Sequence, residues 1–456
     1  MARLFGTDGV RGVANVDLTC ELAYRLGQAA VAFMGGTIVL GKDTRKSGDM
    51  LEAAVVAGIT SAGGDALLAG VIPTPAIALL TRELHADGGI VISASHNPPE
   101  YNGIKFFDCQ GFKLPDAVED EIEQFIASGG LEGAAVRAIE AGEEASMPVG
   151  PLVGVAVEVE DACEMYIDHV VKSIQAQGVD FSGLHVALDT GHGASSLTSA
   201  EALRRLGAEV TVINDDFDGN DINVECGSTH LGPLSELMAE SGADVGIAHD
   251  GDADRVMMLA ANGAEIDGDV MEAVMAVDLK ERGCLPGNVA VSTVMTNLGF
   301  VHAMRDAGIE VLQTKVGDRY VLEAMREGGY ALGGEQSGHM ILLEHNSTGD
   351  GLMTACQFLA AVRRSGKPVE EAIKVMTRFP QTLINVRVKD KHALDGNEAI
   401  WGAVRAAEDA MGDTGRVLVR TSGTEPLVRV MVEAETQDVA DGHARAIAAI
   451  VESELA

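Results

Sequence analysis

Short apolar runs alternate along most of the chain with longer segments in which apolar residues recur every three or four positions. The runs at residues 37–40 and 65–69 predict buried strands, whereas Leu18, Leu22 and Leu26 have the spacing of one face of a helix. Strands that alternate with helices at this spacing predict parallel pairing through right-handed crossovers. The pattern therefore predicts an α/β protein.

The same alternation continues beyond a Gly/Ala/Glu-rich boundary at residues 129–150 and changes near the C-terminus. Further strands are predicted at residues 89–93, 103–107, 185–189, 210–213, 245–248, 289–294, 310–314, 330–332, 383–388, 417–420 and 428–433. Further helices are predicted at residues 50–61, 75–84, 115–128, 163–175, 195–206, 231–241, 269–282, 298–307, 319–327, 351–364, 398–411 and 439–453. We therefore predict three similar α/β sandwich domains with mixed or parallel sheets, at residues 1–150, 151–256 and 257–368, and an α+β lid domain at residues 369–456.

Each predicted domain contains one polar loop that is associated with a strand. These loops begin near residues 93, 250, 334 and 420. In open α/β sheets, ligands bind in the crevice beyond the carboxyl ends of the strands. Three similar units with loops at equivalent strand ends therefore predict one shared cleft.

Composition narrows the possible ligands. Of the 456 residues, 46% are apolar and 22% are charged, and the formal net charge is −36. Such a chain should repel nucleic acid and anionic membranes, which are bound mainly through Lys and Arg, and it contains no apolar run long enough to span a bilayer. The six cysteines lie far apart, which predicts reduced thiols in a cytoplasm and no zinc site. If the substrate is anionic, the few basic residues should be concentrated at its site.

Three aspartates alternate directly after the predicted strand at residues 245–248. In an extended loop, Asp250, Asp252 and Asp254 can direct several oxygens at one hard cation such as Mg²⁺. Two alternatives fit the same residues. One is a solvated acidic turn, and the other is the aspartyl-phosphate pattern of haloacid-dehalogenase-like phosphatases, in which Asp252 would be the nucleophile.

The C-terminal loop has the groups that a phosphate dianion requires. Ser422, Gly423 and Thr424 offer hydroxyls and exposed backbone N–H groups, and Arg420 and Arg429 flank them with guanidiniums. A hairpin turn with surface arginines is the alternative interpretation.

Two other loops are ambiguous when each is considered alone. Glu335 and Ser337 lie between glycines and offer an acceptor and a hydroxyl for a sugar, although a plain turn is equally consistent. A serine beside a histidine in a loop is more often part of a turn than a nucleophile. Nothing in the residues themselves chooses between Ser93 and Ser95.

Two glycine-containing segments precede these loops. Residues 5–12, FGTDGVRG, predict a glycine-rich loop that contains one guanidinium, Arg11. Residues 36–43 approximate a P-loop, but Asp43 occupies the position of the Ser or Thr that would bind Mg²⁺, and the middle residues predict a strand. We therefore expect no nucleotide cradle there.

Taken together, these motifs resemble the α-D-phosphohexomutase family, in the family's order and over the whole chain. FGTDGVRG opens the chain, ISASHNP and NGIKFF contain the phosphoserine loop, and DGDADR is the metal loop. GEQSGH is the sugar loop, and RTSGTEPLVRVMVEA is the phosphate-binding loop. Within the family, Gln336 and the FGTDGVRG opening favour an amino-sugar enzyme, because phosphomannomutases and phosphoglucomutases more often have Met in place of Gln336. Tyr101 departs from the pattern, since relatives usually have an acidic residue there.

The resemblance implies four domains in a heart shape around a central cleft, and the interconversion of glucosamine 6-phosphate and glucosamine 1-phosphate. Phosphoserine 95 would donate its phosphoryl group to the sugar, and the other phosphate of the resulting 1,6-bisphosphate would return to Ser95. One Mg²⁺ would be bound by Asp250, Asp252, Asp254 and a phosphoserine oxygen. The product would supply amino-sugar nucleotide and cell-wall precursor synthesis. We expect a cytoplasmic monomer or homodimer that binds sugar phosphates and is primed by glucosamine 1,6-bisphosphate.

The resemblance also implies roles for individual residues. Glu335 and Ser337 would bind sugar hydroxyls, and Lys315 and His339 are the candidates for the general acid/base, unranked by the sequence. The residues expected to contact the transferring phosphoryl group are Arg11, His96, Lys105 and Arg255. The residues expected to bind the phosphate that is not reacting are Arg420, Ser422, Gly423, Thr424 and Arg429.

Two other functions remain open at this point. An Asp-nucleophile phosphatase would release phosphate without a bisphosphate primer. A non-catalytic sugar-phosphate sensor on the same fold would be expected to lose Ser95 or the aspartates, and both are present.

Overall fold

The structure is a computed structural model that describes residues 3–6, 8–140, 147–422 and 426–456. It divides into two compact units. The first comprises Met1–Met295 and Ile309–Lys374, and the second comprises Thr296–Gly308 and Val375–Ala456. The three α/β sheets lie in the first unit, and the C-terminal sheet lies in the second.

The first sheet has seven strands in the order β1-β2-β6-β5-β3-β4-β7. Its strands are β1 (Phe5–Gly6), β2 (Gly9–Val13), β3 (Thr37–Lys42), β4 (Asp65–Val71), β5 (Gly88–Ile92), β6 (Tyr101–Asp108) and β7 (Ala156–Glu158). The helices of this region are α1 (Cys20–Phe33), α2 (Gly48–Ser61), α3 (Thr74–Glu83), α4 (Asp116–Ala127) and α5 (Gly130–Glu140). Apolar side chains of α1, α2, β3 and β5 form one buried core, because their 3.6-residue and two-residue repeats both direct apolar groups inward.

The second sheet has the order β12-β11-β10-β8-β9, and the third has the order β14-β13-β15-β16. The second region contains α6 (Ala162–Gln175), β8 (His185–Asp189), α7 (Ser199–Arg205), β9 (Glu209–Ile213), α8 (Gly232–Ser241), β10 (Val245–His249), β11 (Val256–Ala260) and β12 (Glu265–Ile266). The chain continues through α9 (Gly268–Glu281), β13 (Val289–Thr293), α10 (Leu298–Asp306), β14 (Glu310–Thr314), α11 (Asp318–Gly328), β15 (Leu332–Gly334), β16 (Met340–Leu342), α12 (Gly351–Ser365) and α13 (Val369–Ala372). Helix α10 belongs to the second unit.

The second unit contains a three-stranded antiparallel sheet in the order β17-β19-β18. Its remaining elements are β17 (Gln381–Arg387), α14 (Glu398–Met411), β18 (Gly415–Thr421), β19 (Leu427–Ala434) and α15 (Gln437–Leu455). Their apolar faces form a separate core. The α/β class and the smaller C-terminal α+β domain are therefore as predicted, whereas the boundaries at residues 150, 256 and 368 remain predictions.

Each of the three α/β sheets repeats one local arrangement. A strand that pairs in parallel with its neighbour ends in a polar loop, and the chain returns as an antiparallel strand. The loops are residues 93–100 between β5 and β6, residues 250–255 between β10 and β11, and residues 335–339 between β15 and β16. The sheets are therefore mixed, which is one of the two arrangements predicted for these domains.

Four local predictions differ from the structure. Residues 5–12 are not simply a loop: β1 and β2 form a hairpin, and β2 pairs with β6. The helix predicted at residues 195–206 is broken into a 3-10 turn at Ala194–Leu197 and the shorter α7. The strand predicted at residues 330–332 lies later, as β15. The boundary segment at residues 129–150 contains α5, and residues 141–146 lie outside the described residues.

In the part of the chain that the structure describes, no helix combines the length and the apolar character that crossing a membrane requires.

Candidate active site

Ser95 lies in the loop between β5 and β6, which we call the serine loop (residues 93–100). The residue is buried and adopts φ +52°, a left-handed conformation that costs a non-glycine residue about 1–3 kcal/mol. Its Oγ donates a hydrogen bond to Asp250 Oδ2 at 2.6 Å, and His96 Nδ1 lies 3.4 Å from the same Oγ. The structure therefore directs the Ser95 hydroxyl, rather than that of Ser93, at the three aspartates.

Asp250, Asp252 and Asp254 lie in the loop between β10 and β11, and all three are buried. One carboxylate oxygen from each lies within 4.8 Å of the others. Asp250 Oδ1 accepts the backbone N–H of Arg255 at 3.2 Å. Among the described residues, Asp252 Oδ1 and Asp254 Oδ1 have no hydrogen-bond partner. Buried carboxylate oxygens without donors fit a hard cation, so this cluster could bind a metal ion.

Burial and neighbouring charges shift the pKa values of Asp250 and Asp254 in opposite directions. Burial raises the pKa of Asp250 well above its usual range, and the charges of Asp254 and Asp252 raise it further. Burial also acts to raise the pKa of Asp254, but Lys105 and His339 outweigh it and hold that pKa well below the usual range. A bound divalent cation would relieve the repulsion among the three carboxylates.

Two side chains hold one oxygen of the Asp252 carboxylate. Asp252 Oδ2 accepts hydrogen bonds from Thr74 Oγ1 at 2.7 Å and from Lys105 Nζ at 2.7 Å. The side chain is buried, and its Oδ1 accepts no hydrogen bond among the described residues.

Lys105 begins a series of buried ion pairs that crosses the three α/β regions. Its Nζ lies 3.0 Å from Asp8 Oδ2 and 3.4 Å from Asp254 Oδ2. Asp8 also pairs with Lys113, and Lys113 pairs in turn with Asp318. Burial alone would lower the pKa of Lys105 and of Lys113, but the surrounding carboxylates outweigh it and raise both.

His339 closes this series. Its Nε2 lies 3.5 Å from Asp318 Oδ2, and its Nδ1 lies 3.7 Å from Asp254 Oδ1. Three carboxylates thus alternate with three basic side chains in a closed cycle, which we call the charge ring. Its members are Asp8, Lys105, Asp254, His339, Asp318 and Lys113.

Three further predicted residues lie beside the charge ring or the Ser95 hydroxyl. Arg11 pairs with Asp8, and its Nε is buried. Arg255 Nε lies 3.8 Å from Asp254 Oδ1. Burial, followed by the charges of Arg255 and Arg11, lowers the pKa of His96 to about 4. His96 is therefore an uncharged imidazole near neutral pH.

The loop between β15 and β16 (residues 335–339) accepts backbone hydrogen bonds from residues that follow the aspartate loop. Val256 N–H donates to Gly338 O at 3.2 Å, and Gly268 N–H donates to Gln336 O at 3.1 Å. Gly338 has φ +87°, and a Cβ there would lie 2.0 Å from Val256 O, so only glycine fits. Glu335 Oε1 accepts Gly317 N–H at 3.1 Å.

Ser337 is exposed at the tip of this loop. The two general acid/base candidates occupy different environments. His339 is buried, and Gly349 N lies 3.2 Å from its Nε2, which accepts that N–H when the ring is neutral. Lys315 is exposed, and its Nζ lies 5.8 Å from the centroid of the Tyr320 ring.

In the second unit, Arg420 and Arg429 lie directly opposite each other on β18 and β19. Burial lowers the pKa of Arg420, and the charge of Arg429 lowers it further. Ser422 N–H donates to Leu427 O at 2.8 Å, and Ser422 O accepts Lys391 Nζ at 2.8 Å. Like charges on opposed positions of a sheet destabilise it, so these cations favour an anion as ligand. Gly423 and Thr424 lie outside the described residues.

The sequence did not identify several side chains that complete the site in the first unit. Asp8, Lys113 and Asp318 belong to the charge ring, and Thr74 binds Asp252. Each is an isolated polar residue in the sequence, with partners more than a hundred residues away in several cases. The FGTDGVRG motif contained Asp8, but only Arg11 was given a role.

Comparison with known proteins identifies four regions of the chain. The models of the phosphoglucomutase/phosphomannomutase family match as α/β/α domain I at residues 2–132, domain II at 164–263, domain III at 267–379 and the C-terminal domain at 383–450. A phosphoglucosamine mutase of Alkaliphilus metalliredigens is 48% identical over 463 residues, which cover 100% of both chains. One of Moorella thermoacetica is 50% identical over 438 residues, which cover 95% of each.

Solved structures share the fold. A phosphoglucomutase/phosphomannomutase family protein from Burkholderia thailandensis matches with a TM-score of 0.78 at 24% identity, covering 99% of this chain and 97% of the other. An Aspergillus fumigatus N-acetylphosphoglucosamine mutase in complex with GlcNAc-6P and magnesium matches with a TM-score of 0.63 at 16% identity, covering 91% and 82%. From the four matched domain models and the full-length relatives, the chain belongs to the phosphoglucomutase/phosphomannomutase family, the α-D-phosphohexomutases.

Proposed function

We propose that the protein is a phosphoglucosamine mutase, an isomerase that interconverts glucosamine 6-phosphate and glucosamine 1-phosphate. One observation supports this most directly: the hydroxyl of Ser95 donates to Asp250 at the edge of a cluster of three buried aspartates. The relatives named phosphoglucosamine mutase, at 48% and 50% identity over nearly the whole chain, favour the amino sugar as substrate.

The reaction begins with Ser95 phosphorylated. A sugar hydroxyl attacks the phosphorus, the new P–O bond forms to the sugar, and the bond from phosphorus to Ser95 Oγ breaks. The proton of the sugar hydroxyl passes to a base of the protein. The resulting glucosamine 1,6-bisphosphate turns over, and its other phosphoryl group returns to Ser95 Oγ by the reverse chemistry, so that phosphate is neither gained nor lost.

Asp250, Asp252 and Asp254 would bind Mg²⁺ together with an oxygen of phosphoserine 95. Such an ion would neutralise the charge that develops on the transferring phosphoryl group. Two buried oxygens that accept no hydrogen bond among the described residues, Asp252 Oδ1 and Asp254 Oδ1, support this assignment. The Aspergillus relative is described in complex with magnesium.

Basic side chains around Ser95 would bind the transferring group. Arg11, Arg255 and Lys105 approach the aspartate cluster from two sheets, and His96 lies beside the hydroxyl. Because its Nδ1 lies 3.4 Å from Ser95 Oγ, His96 would contact the phosphate as a hydrogen-bonding group.

We propose Lys315 as the general acid/base in preference to His339. Both ring nitrogens of His339 face partners within the charge ring or the backbone, so a substrate hydroxyl has little access to them. Lys315 is exposed, and its chain is free to reach a ligand.

The remaining loops would recognise the rest of the substrate. Glu335 and Ser337 would bind sugar hydroxyls. Arg420, Ser422, Gly423, Thr424 and Arg429 would bind the phosphate that is not reacting. Because the sugar must react from either end, the enzyme has to bind it in two orientations. Phosphate is the end group common to both, so the site should recognise phosphate. The opposed Arg420 and Arg429 support an anionic ligand at this hairpin.

The proposal also covers the domain boundaries, the location, the oligomeric state and the primer of the reaction. We propose domain boundaries near residues 150, 256 and 368, action in the cytoplasm as a monomer or homodimer, and glucosamine 1,6-bisphosphate as primer. The product would feed amino-sugar nucleotide and cell-wall precursor synthesis.

The phosphoserine can be tested by intact mass after incubation with glucosamine 1,6-bisphosphate. The wild type should gain the mass of one phosphate, and Ser95→Ala should lose both this increment and the mutase activity. Ser93→Ala is the matched control and should retain the increment after prolonged incubation. An unmodified Ser95 with a fully active Ala variant would refute the proposal.

The sugar preference requires a separate assay. Coupled turnover of glucosamine 6-phosphate should exceed that of mannose 6-phosphate when each reaction is primed with its matching bisphosphate. The opposite order would identify a phosphomannomutase of the same family.

A further inference from the structure

The backbone of the serine loop is bound by a single buried guanidinium, that of Arg45. Its Nη2 donates to Ser95 O at 2.9 Å and to Asn97 O at 2.7 Å. Its Nη1 donates to Tyr101 O at 3.0 Å and also to Pro98 O. The side chain of Arg45 is entirely inaccessible to solvent. Carbonyls from both ends of the serine loop therefore face one cation.

Arg45 also forms a buried ion pair with Asp43, and this pair is linked to the backbone N–H of Ser95. Asp43 Oδ2 accepts Arg45 Nε at 2.9 Å and Ser93 Oγ at 2.6 Å. Ser93 Oγ in turn accepts the backbone N–H of Ser95 at 2.9 Å. The N–H and the C=O of Ser95 are thus both connected to the buried Asp43–Arg45 pair.

A side chain from the domain of the second sheet donates hydrogen bonds to two of the same carbonyls. Asn223, which follows β9, donates from Nδ2 to Ser95 O at 2.9 Å and to Asn97 O at 3.1 Å. The serine loop is therefore bound jointly by a side chain of the first sheet's domain and one of the second, which also holds the aspartate cluster.

These contacts explain how a serine maintains the backbone angle that directs it at the aspartates. A left-handed residue other than glycine persists only where its surroundings determine it. We infer that Arg45 is the positioning residue for phosphoryl transfer: its guanidinium holds the carbonyls of the serine loop so that Ser95 Oγ points at Asp250. Arg45 touches no reacting atom. This inference rests on the proposed function.

The geometry requires an arginine and not merely a positive charge. A planar guanidinium binds the Asp43 carboxylate through Nε and four carbonyls through its two terminal nitrogens. A lysine ammonium has three donors on one atom and cannot reach both groups. Arg45→Lys therefore preserves the positive charge and removes the planar set of N–H donors.

Arg364 offers a matched control elsewhere in the first unit. It is also a forked arginine: Nε and Nη2 each bind Asp278 at 2.7 Å, and Nη1 binds Gln177 at 2.7 Å. It has no contact with the serine loop among its hydrogen bonds and ion pairs within the described residues. Arg364→Lys should therefore perturb folding without perturbing Ser95.

The experiment measures phosphoryl transfer from glucosamine 1,6-bisphosphate to dephosphorylated Ser95 by intact mass against time, together with kcat and KM for glucosamine 6-phosphate. Misplacement of a reacting group by about 1 Å can cost about 100-fold in rate. We expect Arg45→Lys to slow transfer and kcat by about 100-fold, with KM changed less than about threefold. The ³¹P resonance of the phosphoserine should also shift. Arg364→Lys should leave all four quantities near the wild type, even where its Tm falls.

A folded Arg45→Lys protein with wild-type transfer and kcat would overturn the inference, as would equal losses in Arg45→Lys and Arg364→Lys. If Arg45→Lys does not fold, Asn223→Ala provides the second variant, with an expected loss of about tenfold in transfer; no loss there would also overturn the inference. A wild type that accepts no phosphoryl group would instead refute the proposed function itself.

Discussion

At the scale of the single residue, burial and neighbouring carboxylates disfavour a charge on Asp250, whereas the hydroxyl of Ser95 favours it. Its carboxyl group is buried beside two other carboxylates, which raises its pKa, yet it accepts the Ser95 hydroxyl at 2.6 Å. Without a cation, the charge on Asp250 costs free energy. With a cation, that charge contributes to binding. The same side chain should therefore have opposite effects on stability and on metal affinity.

Asp250→Asn tests this directly. The affinity for Mg²⁺ should fall by at least about 10–100-fold, since loss even of an outer partner of a metal site has such an effect. The free energy of unfolding without metal should not fall by more than about 0.5 kcal/mol, because the change removes a buried like-charge repulsion. Titration calorimetry with Mg²⁺ and urea denaturation in EDTA measure the two quantities.

Asp216→Asn is the control, because Asp216 is 88% exposed and lies outside the cluster. Both quantities should be unchanged there. An Asp250→Asn protein that binds Mg²⁺ as tightly as the wild type would contradict the assignment of the aspartates.

Gly338 supports a second prediction at this scale. Gly338→Ala would place a Cβ 2.0 Å from Val256 O at φ +87°, whereas Gly329→Ala has a similar φ of +66° but meets no atom within 4 Å. We expect Gly329→Ala to cost about 1–2 kcal/mol in the free energy of unfolding, from the backbone alone. Gly338→Ala should cost about 2–5 kcal/mol because the close contact adds to it. Urea denaturation measures both, and equal losses would show that the contact with Val256 relaxes freely.

At the scale of the element, local pattern predicted most helices and buried strands but not how the strands pair. Strands β5 and β10 are buried at every position, and burial on both faces does not distinguish parallel from antiparallel neighbours. The return strands β11 and β16 were not predicted, since each is short and directly follows a polar loop. Strands β1 and β2 contain three glycines and depend on pairing with β6, a contact about ninety residues away.

The charge ring belongs to the same scale, because it joins loops and helices of different domains. Lys113 bridges Asp8 near the N-terminus and Asp318 at the start of α11. Lys113→Ala would remove the cation that Asp8 and Asp318 share; their side chains are 17% and 15% exposed, and both keep other basic partners. We expect a loss of about 1.5–3 kcal/mol in the free energy of unfolding, as for lost hydrogen bonds to charged groups. Urea denaturation measures this loss.

Lys172→Ala is the corresponding control, because Lys172 pairs with Asp168 on the surface and its side chain is 73% exposed. Its effect should be within about 0.5 kcal/mol. If both lysine variants behave alike, the ring contributes no more than a surface pair.

At the scale of the whole molecule, the sequence predicted where positive charge should lie, but not how it is arranged. Arg11, Lys105 and Arg255 gather around the aspartates of a chain with net charge −36, as expected for an anionic substrate. The partners that fix them could not be predicted. Asp8 and Asp318 have no local pattern, and nothing in the sequence around Arg45 indicates that its side chain binds the serine loop.

The net charge itself gives the last prediction. Excess negative charge destabilises a compact protein through self-repulsion, and salt screens exposed charges while leaving buried pairs nearly unaffected. Raising NaCl from about 10 mM to about 150 mM shortens the screening length from about 30 Å to about 8 Å. We therefore expect the Tm to rise by about 2–4 °C over this range, which corresponds to roughly 1 kcal/mol in a domain of moderate size. Because no side chain of the charge ring is more than 17% exposed, Lys113→Ala should show a lower Tm at every salt concentration but the same slope. A Tm that is flat or falls with salt in the wild type would mean that exposed ion pairs, and not net repulsion, dominate the surface electrostatics.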